Sequence, residues 1–340
     1  MARRPTIQDL AQKAGVSVST IDRILNGRDK VRAGTAERVL AAAEALQFYA
    51  LPALRQRLRA SPDRTKIGFL LQQSHRGFYR TIAAALTAAA AEHPEPVEVL
   101  VEHMDDLSPE AVSECILRMG SQVQALGVVS AVHARVSAAI ETLAIRGVPT
   151  YGLISELTAA CGTGYVGLDN WKVGRTAGWA IAGMSKRPGR VGIVVGNHRY
   201  RCQELNESGF RSYMREHAPD FTLLEPIQTF EDNAIARDVT EQLLHREPDL
   251  AGLYVAGGGM PGAMEALRSS GRAKSIVTVG NDLTEHTRTG LMDDVLTMVF
   301  AHPVQRLASE AITHLAREVT TGTPPTKKLL AFDIFGPENI

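Results

Sequence analysis

The sequence predicts a small all-α headpiece followed by an α/β core of two lobes, each a parallel sheet flanked by helices. Three observations carry that prediction. Two short amphipathic segments near the N-terminus are joined by a turn containing one glycine. From Lys66 onward, apolar runs of strand length alternate with helix-length runs, and the series restarts after Asp169. Charge divides in the same way: residues 1–60 hold eleven Lys/Arg against five Asp/Glu, while the whole chain has a formal net charge of zero. A basic head on an acidic body points to an anionic partner for the head.

Each element has a local reason. Thr6 can cap a helix whose first turn holds Asp9 and whose buried face is Ile7, Leu10, Ala11 and Ala14. Gly15 ends it, Ser17 caps the next, and Ile21, Ile24 and Leu25 form the second stripe, which makes a helix-turn-helix. A third helix, about Thr35–Leu46, buries Val39, Leu40, Ala43 and Leu46. Residues 50–64 are arginine-rich and bracketed by Pro52 and Pro62, as a linker would be. The first series then pairs strand Ile67–Leu71 with helix Tyr79–Ala91, Val97–Val101 with Ser108–Met119, and Leu126–Ser130 with Ala134–Arg146, before strand Val148–Leu153. The second runs from helix Val173–Met184 through strands at 190–195, 222–226, 252–255 and 275–280, with helices between them. The expected division is a headpiece at 1–48, a hinge linker at 49–65 and a core at 66–340. Within the core, the first lobe is expected at about 66–168 plus 297–322 and the second at about 169–296 plus 323–340.

The three cysteines, Cys115, Cys161 and Cys202, are widely spaced, as idle thiols of a reducing compartment would be. The N-terminus has no apolar signal region and no apolar run is long enough to span a membrane, so a cytoplasmic protein is expected. No spacing suggests a metal site. One motif suggests an enzyme: LYVAGGGMPGAMEAL places Gly257, Gly259 and Gly262 between a strand and a helix in the G-x-G-x-x-G pattern, and Asp282 follows about twenty residues later. The alternative function is therefore a cytoplasmic NAD-dependent oxidoreductase. Against it, the fingerprint lies late in the chain and no clustered catalytic motif accompanies it.

The stretches TIQDLAQKAGVSVSTIDRILNG and VRAGTAERVLAAAEALQF resemble the headpiece of the LacI/GalR bacterial transcription regulators. The core resembles that family's periplasmic-binding-protein-like lobes, through GFYRTIAAAL, VGLDNWKVGRTAG and VGND. The resemblance implies a sequence-specific DNA-binding regulator, a repressor, acting as a homodimer on a pseudo-palindromic operator under control of a small polar effector such as a sugar or polyol. No cofactor is implied.

The start of a recognition helix faces base edges. Here those positions are Val18, Ser19 and Asp22, with Arg23 and Asn26 beside them. Ser17 and Thr20 suit phosphate contacts, Arg28 supplies counter-charge, and Thr6 joins the DNA-facing set. Asp22 departs from the family's small polar residue; it either accepts from a cytosine amine or orients a neighbouring cation. The hinge departs further. Ala50 and Leu51 replace the family's Pro-Asn, and Arg57 stands where its leucine wedge would be, with Leu58 next. Leu54 or Leu58 is the candidate wedge, and Arg57 a candidate groove residue.

In two-lobed α/β folds, ligands sit at the C-terminal strand ends between the lobes. Candidate effector residues after the first-lobe strands are Gln73, His75, Phe78, Tyr79, His133 and Glu156. Asn170 lies at the crossover and Asn206 in the second lobe. The resemblance adds Asp282, whose carboxylate is suited to paired hydroxyls, and His302, which replaces a family glutamine.

Overall fold

The structure is a computed structural model that describes residues 5–26, 33–46, 48–51, 54 and 64–340, in two compact units, Met1–Arg64 and Thr65–Ile340. In the first unit, α1 (Ile7–Ala14), α2 (Val18–Asn26) and α3 (Ala33–Ala45) surround a core of Leu10, Ile21, Ile24, Val39 and Phe48. Thr6 caps α1 reciprocally. Its hydroxyl oxygen accepts from Asp9 N at 3.3 Å, and the Asp9 carboxylate accepts from Thr6 N at 2.7 Å. Gly15 turns the chain with φ 65°, a left-handed conformation that a side chain would strain, and its N–H returns to Ala11 and Gln12 carbonyls.

The second unit contains two sheets. The first has strand order β12-β5-β4-β3-β1-β2, comprising β1 (Thr65–Gln72), β2 (Val97–Met104), β3 (Ala125–Val128), β4 (Thr150–Leu153), β5 (Gly164–Leu168) and β12 (Lys327–Leu330), all parallel. Its helices are α4 (Gly77–Glu92), α5 (Pro109–Gly120) and α6 (Ala134–Ile145). Ser108 caps α5, with Pro109 opening the first turn.

The second sheet has the order β13-β11-β10-β9-β6-β7. It comprises β6 (Arg190–Val195), β7 (Thr222–Leu223), β9 (Leu250–Val255), β10 (Val277–Asn281), β11 (Met298–Ala301) and β13 (Asp333–Phe335), and the short β8 (Ile227–Gln228) also pairs with β6. Only β13, among the described strands, runs antiparallel. Helices α7 (Asn170–Met184), α8 (Arg201–His217), α9 (Asn233–Arg246), α10 (Met260–Ser269) and α11 (Glu285–Met292) belong to this lobe. Helix α12 (Val304–Thr321) returns to pack on α4 and β3 of the first.

The chain therefore crosses between sheets at Asp169, at 302–303 and at 331–332. The tail divides differently from the expected 297–322 and 323–340 segments. Met298–Ala301 pairs with β10 in the second sheet, and Lys327–Leu330 pairs with β5 in the first. Sequence alone does not say which of two half-built edges a short apolar run will join.

Candidate functional site

In the headpiece, Ser17 just before α2 and Val18, Ser19, Asp22 and Arg23 on it are exposed, while Ile21 and Ile24 on its other side are buried. Ser17 Oγ lies 2.8 Å from both Ser19 Oγ and Thr20 Oγ1, and Arg23 Nε donates to Ser19 O at 3.4 Å. The exposed start of α2 thus presents small hydroxyls, a valine methyl face and a guanidinium, the inventory that reads a major groove. Thr6 is half-buried and spent on its cap. Leu54 does not fit the wedge expectation: it is fully buried in the headpiece core, its N–H bonded to Ala50 O at 2.9 Å. The side chain of Asn26, and Arg28, Arg57 and Leu58, lie outside the described residues.

In the core, the strand ends of the two sheets face each other across a cleft of about 960 Å³. Gln73, His75, Phe78, Tyr79, His133, Asn170, Asn206, Asp282 and His302 all line it. Glu156 does not. After β4 the chain takes a left-handed step at Ile154 (φ 66°), and the Glu156 carboxylate pairs with Lys327 at the sheet edge. His133 contributes its Nδ1 to the cap of α6, accepting from Arg135 N at 3.2 Å.

The polar centre of the second-lobe wall is Asp282, itself left-handed (φ 62°), whose carboxylate meets His302 in the second crossing segment. Its Oδ1 accepts from His302 N at 3.1 Å and lies 2.7 Å from His302 Nδ1. Nδ1 is thus engaged with the carboxylate, and the other ring nitrogen is left for a further partner. That atom, His302 Nε2, is buried with no partner among the described residues, as are Asn206 Oδ1 and Asn281 Oδ1. Across from them the Phe78 ring lies 5.8 Å from the His302 ring, centroid to centroid. Burial pushes the Tyr79 and Tyr200 phenols well up and the Cys202 thiol up to about 12.

Sequence reasoning missed the groups that join the two walls. Arg76, at the start of α4, donates from Nη1 to Glu231 Oε2 and from Nη2 to Glu231 O, both at 2.9 Å. Gln72 Nε2 donates to Tyr200 OH at 2.7 Å, and Val132 N to Arg199 O at 2.8 Å. Each bond joins a first-lobe strand end to the second lobe. Arg76 adjoins the strand end that did draw attention, so position gave a usable signal; Glu231, in a loop after a two-residue strand, gave none.

Comparisons agree with this geometry. Residues 6–50 match the family model described as bacterial regulatory proteins, lacI family, and residues 67–323 match the periplasmic binding protein domain. The HTH-type transcriptional regulator CelR of Thermobifida fusca is 25% identical, over 92% of this chain and 93% of its own length. The D-ribose/D-allose-binding protein of Pseudomonas aeruginosa is 24% identical over 80% and 84%. A solute-binding protein of an ABC transporter from Burkholderia graminis, solved with D-arabinose, superposes with a TM-score of 0.75 at 17% identity, covering 81% of this chain and 96% of that one. That last likeness shows the fold alone. None of these three relatives is described as an oxidoreductase.

Proposed function

The chain belongs to the lacI family of bacterial regulatory proteins and is a DNA-binding transcriptional regulator, and we propose that it is a homodimeric, cytoplasmic repressor controlled by a sugar or polyol held between its lobes. The observation that carries the ligand class is the set of unpaired buried atoms on the cleft wall: Asn206 Oδ1, Asn281 Oδ1 and His302 Nε2. The two amide oxygens are acceptors, and an unsatisfied buried acceptor costs about 1–3 kcal/mol until something donates to it, while the imidazole nitrogen pairs with a hydroxyl in either sense. Several hydroxyls on one small frame meet that demand, and the Phe78 ring opposite offers an apolar face to the C–H side of a sugar ring. The sugar-binding descriptions of the relatives support the same class. Glycines 257, 259 and 262 fit a tight cleft-edge loop, with Pro261 in the first turn of α10, rather than a cofactor seat.

Regulation follows from linkage. The ligand bridges both walls, so it binds the closed core more tightly than the open one and shifts that equilibrium by the difference. DNA affinity changes to the extent that closure is coupled to the headpieces of the dimer.

Two measurements test the reading. A thermal-shift screen of neutral sugars and polyols should give a rising midpoint with at least one compound. A gel shift on DNA from the protein's own promoter region, at low salt, should show a complex that the same compound weakens or strengthens. No complex with or without ligand would count heavily against the repressor reading, and no neutral hit would overturn the ligand class.

A further inference from the structure

The glycine-rich loop after β9 spells a nucleotide fingerprint, yet the group lying against it is a carboxylate of the same chain. Glu231 Oε1 accepts from Gln203 Nε2 at 2.7 Å and from Gly258 N at 3.3 Å, while Oε2 accepts from Arg76 Nη1 at 2.9 Å. Gln203 is fixed in that orientation, since its own Oε1 accepts from Gly196 N at 2.8 Å and Asn197 N at 2.9 Å. A methyl group on Gly196 or Gly258 would overlap the Glu231 carboxylate, so these two glycines shape the space it fills. Guanidinium, amide NH₂ and backbone N–H together form a donor set suited to an oxyanion. The first of them comes from one lobe and the other two from the second.

The loop is distorted to deliver this carboxylate. Phe230 and Glu231 both adopt left-handed backbone angles, φ 52° and 64°, which are unfavourable for residues with side chains. Phe230 is 65% exposed and lines the cleft, while the Glu231 side chain beside it is 13% exposed.

We propose that Glu231 is a built-in anion plug: it fills an oxyanion subsite spanning the two lobes and thereby determines that the cleft accepts uncharged ligands over their phosphorylated or carboxylated forms. As to the natural ligand, this rests on the sugar-or-polyol reading; the subsite itself is defined without it. A ligand phosphate entering there meets a carboxylate at the position its own oxygens would take, and finds Arg76 already neutralised. Removing Glu231 leaves the guanidinium, Gln203 Nε2 and Gly258 N–H arranged around a vacated oxyanion position.

The test uses inorganic phosphate as the probe. The full chain, Glu231→Ala and Glu231→Gly are melted in about 10 mM phosphate and in sodium chloride of equal ionic strength, a concentration low enough to keep general salting effects small. The glycine variant is included because it tolerates the left-handed backbone at this position. Phosphate should leave the unaltered chain's midpoint where chloride does, raise that of each folded variant by about 2 °C or more, and lose that effect when Arg76→Ala is added. An equal rise in the unaltered chain, no rise in a folded variant, or a rise that survives Arg76→Ala would overturn the plug. In the unaltered protein, calorimetry compares a neutral sugar that binds with its 6-phosphate. The phosphate form should bind at least about ten-fold more weakly, and equal affinity overturns the assignment. A screen without any neutral hit would count against the sugar-or-polyol reading, and the phosphate melts would still decide the plug.

Discussion

The two walls of the cleft are made of different chemistry. The first-lobe wall, at the ends of β1 and β3, presents the rings of Phe78 and Tyr79 and the cation of Arg76. The second-lobe side presents acceptors: Asn206, Asn281, Asp282 and Glu231. Apolar contact rewards area and is indifferent to direction, whereas hydrogen bonds reward position and punish absence. A cleft that offers both suits the proposed ligand, with a flat C–H face and a rim of hydroxyls. Arg76 and Glu231 are the exception, where each wall lends the other the charge it lacks.

Removing the strongest acceptor should break this division most. Asp282→Ala deletes the carboxylate that holds His302 and lines the cleft, and should weaken the best sugar or polyol by about 2–3 kcal/mol, roughly 30- to 150-fold, by calorimetry. An unchanged affinity would take Asp282 out of the site. Arg76→Ala comes next. It strands the Glu231 carboxylate, whose side chain is 13% exposed, without its cation, and should lower the ligand-free protein's stability by about 1–2 kcal/mol in urea unfolding. Small-angle scattering should show a more open core in the same variant; a core as closed as before would mean that the ion pair does not hold the lobes. Phe78→Ala touches only the apolar wall, and about 1 kcal/mol of ligand affinity should go, with no change in preference among hydroxyl stereoisomers. A change in that preference would show that the ring reads direction as well as area.

The smallest effect belongs to neither wall and serves as a control. Arg175 on α7 and Ser212 on α8 hold Glu216 down to about 2. A carboxyl depressed by folding contributes stability that is present above its unfolded value near 4.5 and is lost as pH falls toward 2. Glu216→Gln should therefore flatten the fall in melting midpoint between neutral pH and pH 3 slightly, with ligand affinity untouched. The pair is exposed, so solvent screening keeps the change small. A midpoint that falls as steeply in the variant would show that the pair contributes nothing.

What could be read in the chain beforehand was mostly local. Thr6, Gly15 and Ser108 mark helix ends because their bonds reach only three or four residues away. The cleft was legible because parallel strands deliver their C-terminal ends to one side, whatever follows them. Glu156 escaped that rule through the left-handed step at Ile154, and Leu54 turned into the headpiece core. Glu231 was hidden for a stronger reason. Its partner Arg76 lies 155 residues away, and the two consecutive left-handed residues that aim it carry no glycine to advertise the turn. Glycines 257 and 259 advertised a nucleotide; their neighbour Gly258 instead touches a side chain that the motif does not mention.

The three crossings between the sheets have a consequence for synthesis. The first lobe waits for α12 and for β12, which ends at Leu330, and the second waits for β11 and for β13, which ends at Phe335. The last strands of the two lobes are made within a few residues of each other, so neither lobe is complete much before the other. A nascent chain halted after Met292 would display both sheets with an open edge, ready to pair with the wrong neighbour. The sensor is therefore assembled only once β12 and β13 are both available, whereas the headpiece helices, which precede it in the chain, need none of these strands.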